Sequence, residues 1–211
     1  SNVVGAKLGE EAVQTSLLAG AIGLAIVFVF MIVVYRIPGL AASLALLLYT
    51  GTIVVLLSAF REEITLTLPG IAGIILGIGM AVDANVIIFA RMREEIGKGR
   101  SVATAIDTGF SKALSAIIDG NVTTLIAAAV LYILGSGTVR GFAQTLALGI
   151  VLSMITALFV TRLILKSFYA LGIQHEKFYG KTVNVKVINF LGKKNLCFCL
   201  SAIVILAGIG T

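Results

Sequence analysis

Charge is what this 211-residue sequence has least of: only 12% of its residues are Asp, Glu, Lys or Arg, while 59% are hydrophobic. A soluble domain carries roughly a quarter of its residues charged, because its surface must be wetted. Too few charges are present here to cover a water-exposed shell, so lipid must be the solvent for most of the surface. Sixteen Lys and Arg against ten Asp and Glu leave a net charge of +6. These cations fall in short clusters between apolar runs and form no basic stripe interleaved with aromatics, so no nucleic-acid partner is expected. Cysteine occurs twice, at Cys197 and Cys199. Residues two apart on a helix point to different faces, which argues against a mutual disulfide. Without His or carboxylate neighbours the two thiols make no metal site. Histidine occurs once, at His175, and no nucleophile–base constellation accompanies it, so the chain does not read as an enzyme. The first apolar run follows Lys7, Glu10 and Glu11 rather than a basic leader, which is not the pattern of a signal peptide.

What the sequence does have is a series of apolar runs of about 20 residues, the length that crosses a ~30 Å hydrocarbon core. Five complete spans are predicted, at about 16–35, 39–60, 70–90, 115–135 and 141–165. A sixth begins near Leu196 and is cut off at Thr211. The expected fold is therefore all-α, a polytopic helical bundle within 16–165, followed by a basic linker over 166–195. Arg36-Ile37-Pro38-Gly39 reads as a tight turn, with Pro fixing φ and Gly accepting a positive one. Pro69-Gly70 reads as a helix start, where the missing N–H costs nothing.

The cations assign the sides. With the N-terminal residue outside, the inner segments hold Arg36, Arg91, Arg93, Lys98, Arg100, Lys112, Arg162, Lys166, Lys177, Lys181, Lys186, Lys193 and Lys194. The outer ones hold only Lys7, Arg61 and Arg140. Thirteen against three is a strong positive-inside bias, which predicts that 91–114 and 166–195 are cytoplasmic. In the first of these segments Val102, Ala105, Ile106, Phe110, Ala113, Leu114 and Ile117 recur at helical spacing. That pattern predicts an amphipathic helix over 101–114 lying along the inner membrane surface before the fourth span.

Two acids fall inside spans. Asp83 lies 13 residues below Gly70, about 20 Å deep at 1.5 Å per residue. Asp119 lies about one turn above the inner end of the next, antiparallel span, so the two carboxylates are expected at similar depths. A charged Asp near mid-membrane costs about 2.5–3.5 kcal/mol on insertion scales, so such residues commonly face cavities and take part in proton or ion movement. The alternative is a structural group bonded to a neighbouring hydroxyl or amide, and for Asp119, nearer the interface, the two readings are evenly matched. Each acid opens a similar tetrapeptide, Asp83-Ala84-Asn85-Val86 and Asp119-Gly120-Asn121-Val122. Gly73, Gly77 and Ala81 step by four along the third span toward Asn85, a small-residue face suited to close helix packing with Asn85 available for an interhelical bond. Ser115 and Thr123 share a helix face with Asp119, while Thr124 is directed toward another partner.

The stretch Gly79-Met80-Ala81-Val82-Asp83-Ala84-Asn85-Val86-Ile87-Ile88-Phe89, followed by Arg91-Met92-Arg93-Glu94-Glu95, resembles the signature of SecD in the SecD/SecF protein-export family. So does Asp119-Gly120-Asn121-Val122-Thr123-Thr124-Leu125, with Gly135 to Phe142 beyond it. Phe178-Tyr179-Gly180-Lys181 and the run from Asn189 to Gly210 resemble the start of SecF. The resemblance implies a bundle of the resistance–nodulation–division type, in which 1–15 end a missing exported domain and 196–211 begin a SecF-like helix. It implies an accessory of the Sec translocase in the bacterial cytoplasmic membrane, using the proton as coupling ion and no cofactor. Its implied partners are a SecF-like half, the Sec translocon channel, the translocating preprotein and the lipid bilayer. By matching position, Asp83, Asn85, Asp119, Asn121, Thr123 and Thr124 would form the SecD side of a proton pathway. Ala90, where an acid is expected, and Gly120, where Ala is expected, depart from the pattern. A related proton-coupled exporter of small molecules or lipids is the alternative, and the motif spelling favours SecD.

Overall fold

The computed structural model describes residues 2–60 and 67–180, with residues 198, 199, 201, 202 and 208 beyond them; for residues 2–11 only the backbone is considered. Most of the predicted sixth span, the linker beyond 180 and Cys197 lie outside the described residues. Helices α1 (Asn2–Tyr35), α2 (Ile37–Ala59), α3 (Leu68–Gly97), α4 (Val102–Leu134), α5 (Thr138–Ile155) and α6 (Thr161–Ala170) follow in order. A π-helical turn, Thr156–Val160, joins α5 and α6 into one rod, and a 3-10 turn, Glu176–Phe178, follows α6. Among the described residues five helices are long and apolar enough to cross a membrane: Ala12–Tyr35, Ile37–Ala59, Leu68–Gly97, Val102–Leu134 and Thr138–Ala170. Their outward faces stay apolar, with Val33 72% and Ile133 75% exposed, as a hydrocarbon solvent requires.

Helix α3 occupies the centre and packs against α5, α4, α1 and α2. Its small residues explain why it can. A Cβ on Gly73 would stand 2.8 Å from Thr145 Oγ1, and one on Gly77 would stand 2.5 Å from the Tyr49 hydroxyl. Neither helix could come as close if these positions carried side chains. Tyr49, wholly buried, reaches from α2 into the notch between Gly77 and Gly149 of α5. The face carrying Gly73, Gly77 and Ala81 thus lies against α5 and Tyr49.

The helix starts follow from local chemistry. Thr67 caps α3 by accepting from the Gly70 N–H at 3.1 Å, with Pro69 in the first turn. Ser101 caps α4 by accepting from the Thr104 N–H. At the α1–α2 junction the sequence expectation is corrected: the positive φ falls on Arg36, at 57°, and not on Gly39. Gly39 is instead the place where α2 meets the Met31 carbonyl of α1, too close for any Cβ.

A second correction concerns 101–114. These residues are not a separate surface helix but the first part of α4, which continues unbroken for 33 residues. Val102, Ala105, Ile106, Phe110, Ala113 and Ile117 are all buried in a core shared with Ile88, Phe89, Met92 and Ile96 of α3 and Leu165 of α6. Leu114, assigned to the same stripe, is 42% exposed. The stripe is apolar because it packs on protein, and α4, about 50 Å long at 1.5 Å per residue, overshoots the hydrocarbon core by roughly 20 Å.

Two expectations follow. Gly77→Val drives a side chain into Tyr49 and lowers stability by about 1–3 kcal/mol. Gly79→Val, where a Cβ meets nothing within 4 Å, changes it by no more than about 0.5 kcal/mol; thermal unfolding in a mild detergent compares the two. Beyond α6, burial, and secondarily the proximity of Tyr169, push the Tyr179 phenol up to about 12 from 10.0. Its folded value exceeds its unfolded one, so the stability this contributes is complete below pH 10 and is lost as pH rises through about 12. Ultraviolet titration of the phenolate should therefore show a late-ionising tyrosine that Tyr179→Phe removes, as the 171–180 segment releases.

Candidate functional site: paired carboxylates on an open helix face

The α3–α4 pair is held rigidly at the end of the bundle where most of the Arg and Lys residues gather, here called the basic end. Glu95 of α3, with a fully buried side chain, meets Lys98 at 2.8 Å, Arg100 at 3.0 Å and Lys112 of α4 at 2.7 Å. One carboxylate therefore ties together the end of α3, the connecting turn and a point about three turns into α4. Nearby, a Cβ on Gly109 would collide with Met92, so the two helices touch backbone to side chain. Asp107, exposed, is paired with Arg162 at 2.7 Å and Lys166 at 2.8 Å, tying α4 to α6.

From that anchored end the helices run side by side to the acids. Asp83 is fifteen residues from the start of α3 at Leu68 (83 − 68), and Asp119 is fifteen residues from the end of α4 at Leu134 (134 − 119). At 1.5 Å per residue each sits about 22 Å from the end of its helix opposite the basic one. The acids therefore share a depth on neighbouring antiparallel helices.

Their surroundings differ from those of the asparagines in the same tetrapeptides. Asp83 and Asp119 are both exposed, whereas Asn85 is 3% and Asn121 is 7% exposed. Asn85 Nδ2 donates to the Ala81 carbonyl at 2.9 Å, and Asn121 Nδ2 donates to the Ile117 carbonyl at 2.7 Å. Both bonds stay within their own helix, and both Oδ1 atoms are buried without a partner. The interhelical bond anticipated for Asn85 is thus absent among the described residues; what it presents inward is a free acceptor. The two motifs repeat one arrangement, acid outward and amide inward.

Among the described residues Asp83 has no hydrogen-bond or ion-pair partner, while Asp119 accepts from Ser115 Oγ at 3.2 Å. Thr123 Oγ1 donates to the Asp119 backbone carbonyl at 2.9 Å, and Thr124 Oγ1 to the Gly120 carbonyl at 3.1 Å. Neither hydroxyl touches a carboxylate, so of the three hydroxyls near Asp119 only Ser115 binds it. Around the acids the surface is bare: Ala72, Leu76, Gly79 and Ala90 of α3 are exposed in line with Asp83. Gly79 and Gly120 face open space. Two carboxylates at membrane depth, with no cation beside them, have one chemical capacity in common: each can be neutral or charged according to what covers it.

Sequence reasoning missed Glu95, whose cation partners come from the α3–α4 turn and from α4 itself. It missed Tyr49 as well, since one tyrosine in an apolar run gives no hint of facing two glycines. Among the described residues no group of three or more His, Cys, Asp or Glu could hold a metal ion; Cys199 is a free, exposed thiol.

Residues 1–170 match the family model described as "Protein export membrane protein SecD/SecF, C-terminal". Protein translocase subunit SecD of Acidaminococcus fermentans is 54% identical over 165 residues, 78% of this chain and 39% of that protein. Protein translocase subunit SecD of Synechocystis is 52% identical over 166 residues, 78% of this chain and 34% of that protein. The crystal structure of SecDF, a translocon-associated membrane protein from Thermus thermophilus, superposes with a TM-score of 0.84 at 36% identity, covering 96% of this chain and 27% of that one. The chain thus spans well under half the length of these relatives. Its five apolar helices, its paired acid motifs and the match over 170 residues agree, and the chain belongs to the SecD/SecF family of protein-export membrane proteins.

Proposed function

We propose that this chain is the membrane part of a SecD-type accessory of the Sec translocase, coupling the proton-motive force to the export of preproteins across the bacterial cytoplasmic membrane. The observation that carries the reading is the open α3–α4 face, where Asp83 and Asp119 stand exposed at one depth. A bare carboxylate in hydrocarbon is costly, so the face calls for a partner that supplies water, a cation or a proton. A SecF-like half is the partner of that kind the family offers. Its arrival would enclose both acids, and protonation from one side followed by release to the other would move charge through the enclosed site. In this reading Asp83 is the main carrier, and Asp119, steadied by Ser115, is the second. The buried Oδ1 atoms of Asn85 and Asn121 offer acceptors for water on the inner side of the helices. Thr123 and Thr124 act on the backbone around Asp119 rather than on the proton.

The cation asymmetry, thirteen against three, supports an orientation with the basic end in the cytoplasm. The proton itself is the coupling ion, and the reading needs no cofactor and no chemical step on a substrate. The Sec channel and the emerging preprotein are the partners on which the coupled movement would act.

In the full-length protein, Asp83→Asn should assemble normally yet lose proton-dependent export, because Asn keeps size and hydrogen bonding but cannot titrate. Asp83→Glu should keep part of the activity. Preprotein translocation into inverted vesicles under an imposed gradient measures this, and a normal rate for the Asn variant would make Asp83 structural. For orientation, Lys98→Cys or Lys181→Cys in a background with Cys197 and Cys199 replaced by Ser should resist an impermeant thiol reagent added outside intact cells. Labelling from outside would reverse the topology.

A further inference from the structure

The segment after α6 folds back under the bundle, and what holds it there is a cluster unconnected with the acid face. Gly172, at φ 97°, ends the helix. The chain then turns through the 3-10 segment so that Tyr179, 1% exposed, enters the core shared by Tyr35, Ile37, Phe168 and Ile173. Its hydroxyl donates to the Ile173 carbonyl at 2.8 Å, closing a short loop on itself. Arg36, the strained residue between α1 and α2, donates through Nη1 to the Lys177 carbonyl at 2.7 Å. Gly180, directly after Tyr179, has φ 103°, and a Cβ there would overlap the Arg93 guanidinium.

Arg93 is the centre of this arrangement. It belongs to α3, ten residues beyond Asp83 and so about 15 Å further along the helix. Its Nη2 donates to the Val34 carbonyl at the end of α1, one of the carbonyls a helix terminus leaves free. The guanidinium also lies over the Tyr35 ring, 4.5 Å from its centre. One side chain of the central helix therefore touches the end of α1, the ring beside the junction and the returning segment at once. A planar guanidinium can do this because it stacks and donates together, which an ammonium cannot.

We propose that residues 176–180 are a latch held by Arg93, making Arg93 the positioning residue through which a movement of α3 reaches the chain leaving the bundle. The inference rests on the reading of Asp83 as the main proton carrier and adds that its change of charge shifts α3. It assigns a task to Tyr179-Gly180 within this bundle, beyond their likeness to the start of a second half. The strained φ of Arg36 fits the same task, since the residue that links α1 to α2 also grips the latch.

Hydrogen exchange of the 173–180 amides in the full-length protein in lipid nanodiscs tests it, with α4 residues 105–117 as an internal control. Phe178 and Tyr179 amides, bonded to the His175 and Glu176 carbonyls, should be protected. Arg93→Gln should speed their exchange by about tenfold or more with the control unchanged, and Arg93→Lys should restore only part of the protection. Gly180→Val, which strains the backbone at φ 103° as well as pushing on the guanidinium, should also speed their exchange. Asp83→Asn should change the exchange at least about threefold with Arg93 present and not at all in the Arg93→Gln background. Unchanged protection in Arg93→Gln would overturn the latch. Exchange insensitive to Asp83→Asn, in a variant that has lost export, would overturn the coupling and leave the proton reading standing. Exchange that responds to Asp83→Asn while export stays normal would support the latch and sink the proton reading instead.

Discussion

Close approach of α3 to α5 and Tyr49, permitted by Gly73 and Gly77, is the constraint on which the rest of the bundle depends. It places α3 at the centre, and helical geometry then settles where the other α3 side chains go. At about 100° per residue, Asp83 falls roughly 120° round the helix from Gly77 and roughly 160° from Ala81. Burying the glycine face therefore turns Asp83 outward. Asn85, four residues beyond Ala81, continues the glycine face and is buried with it. The same rotation separates the titrating group from the packing group in Asp83-Ala84-Asn85 and, on α4, in Asp119-Gly120-Asn121.

Fixing the acids at a common depth requires that α3 and α4 not slide past each other. Glu95 supplies that restraint at the basic end, with three cations around one buried carboxylate. The buried carboxylate keeps compensation if any one cation is lost, so it is removal of Glu95 itself that would release all three ties at once. Arg93 and Asp107 add ties from α3 to α1 and from α4 to α6. The bundle is thus firmly bound at one end and open at mid-depth along one side.

Much of this could be read from the sequence alone, and the limits of that reading have physical causes. Spans of about 20 apolar residues and four-residue steps of Gly and Ala are periodic signals, and they located the five helices and the packing face of α3. Depth follows from counting residues, so the level of Asp83 and Asp119 was legible too. The stripe from Val102 to Ile117 was misassigned because an apolar helix face has the same pattern whether it meets lipid or another helix. Asn85 was expected to bond across helices, but a bond to the carbonyl four residues back was available without any partner. The Arg36 bond to Lys177 and the Arg93 contact with Gly180 join chain segments far apart in sequence. No local pattern announces them.

Everything proposed for the acid face turns on whether Asp83 carries a proton. Proton flux into vesicles holding the full-length protein, driven by an imposed pH gradient and membrane potential, measures this without requiring a preprotein. The electrical part of that driving force is about 2.3 kcal/mol per charge for each 100 mV, ample to move a proton onto and off a carboxylate. Asp83→Asn should bring the flux down to that of protein-free vesicles, and Asp83→Glu should leave part of it. Undiminished flux through the Asn variant would contradict the account.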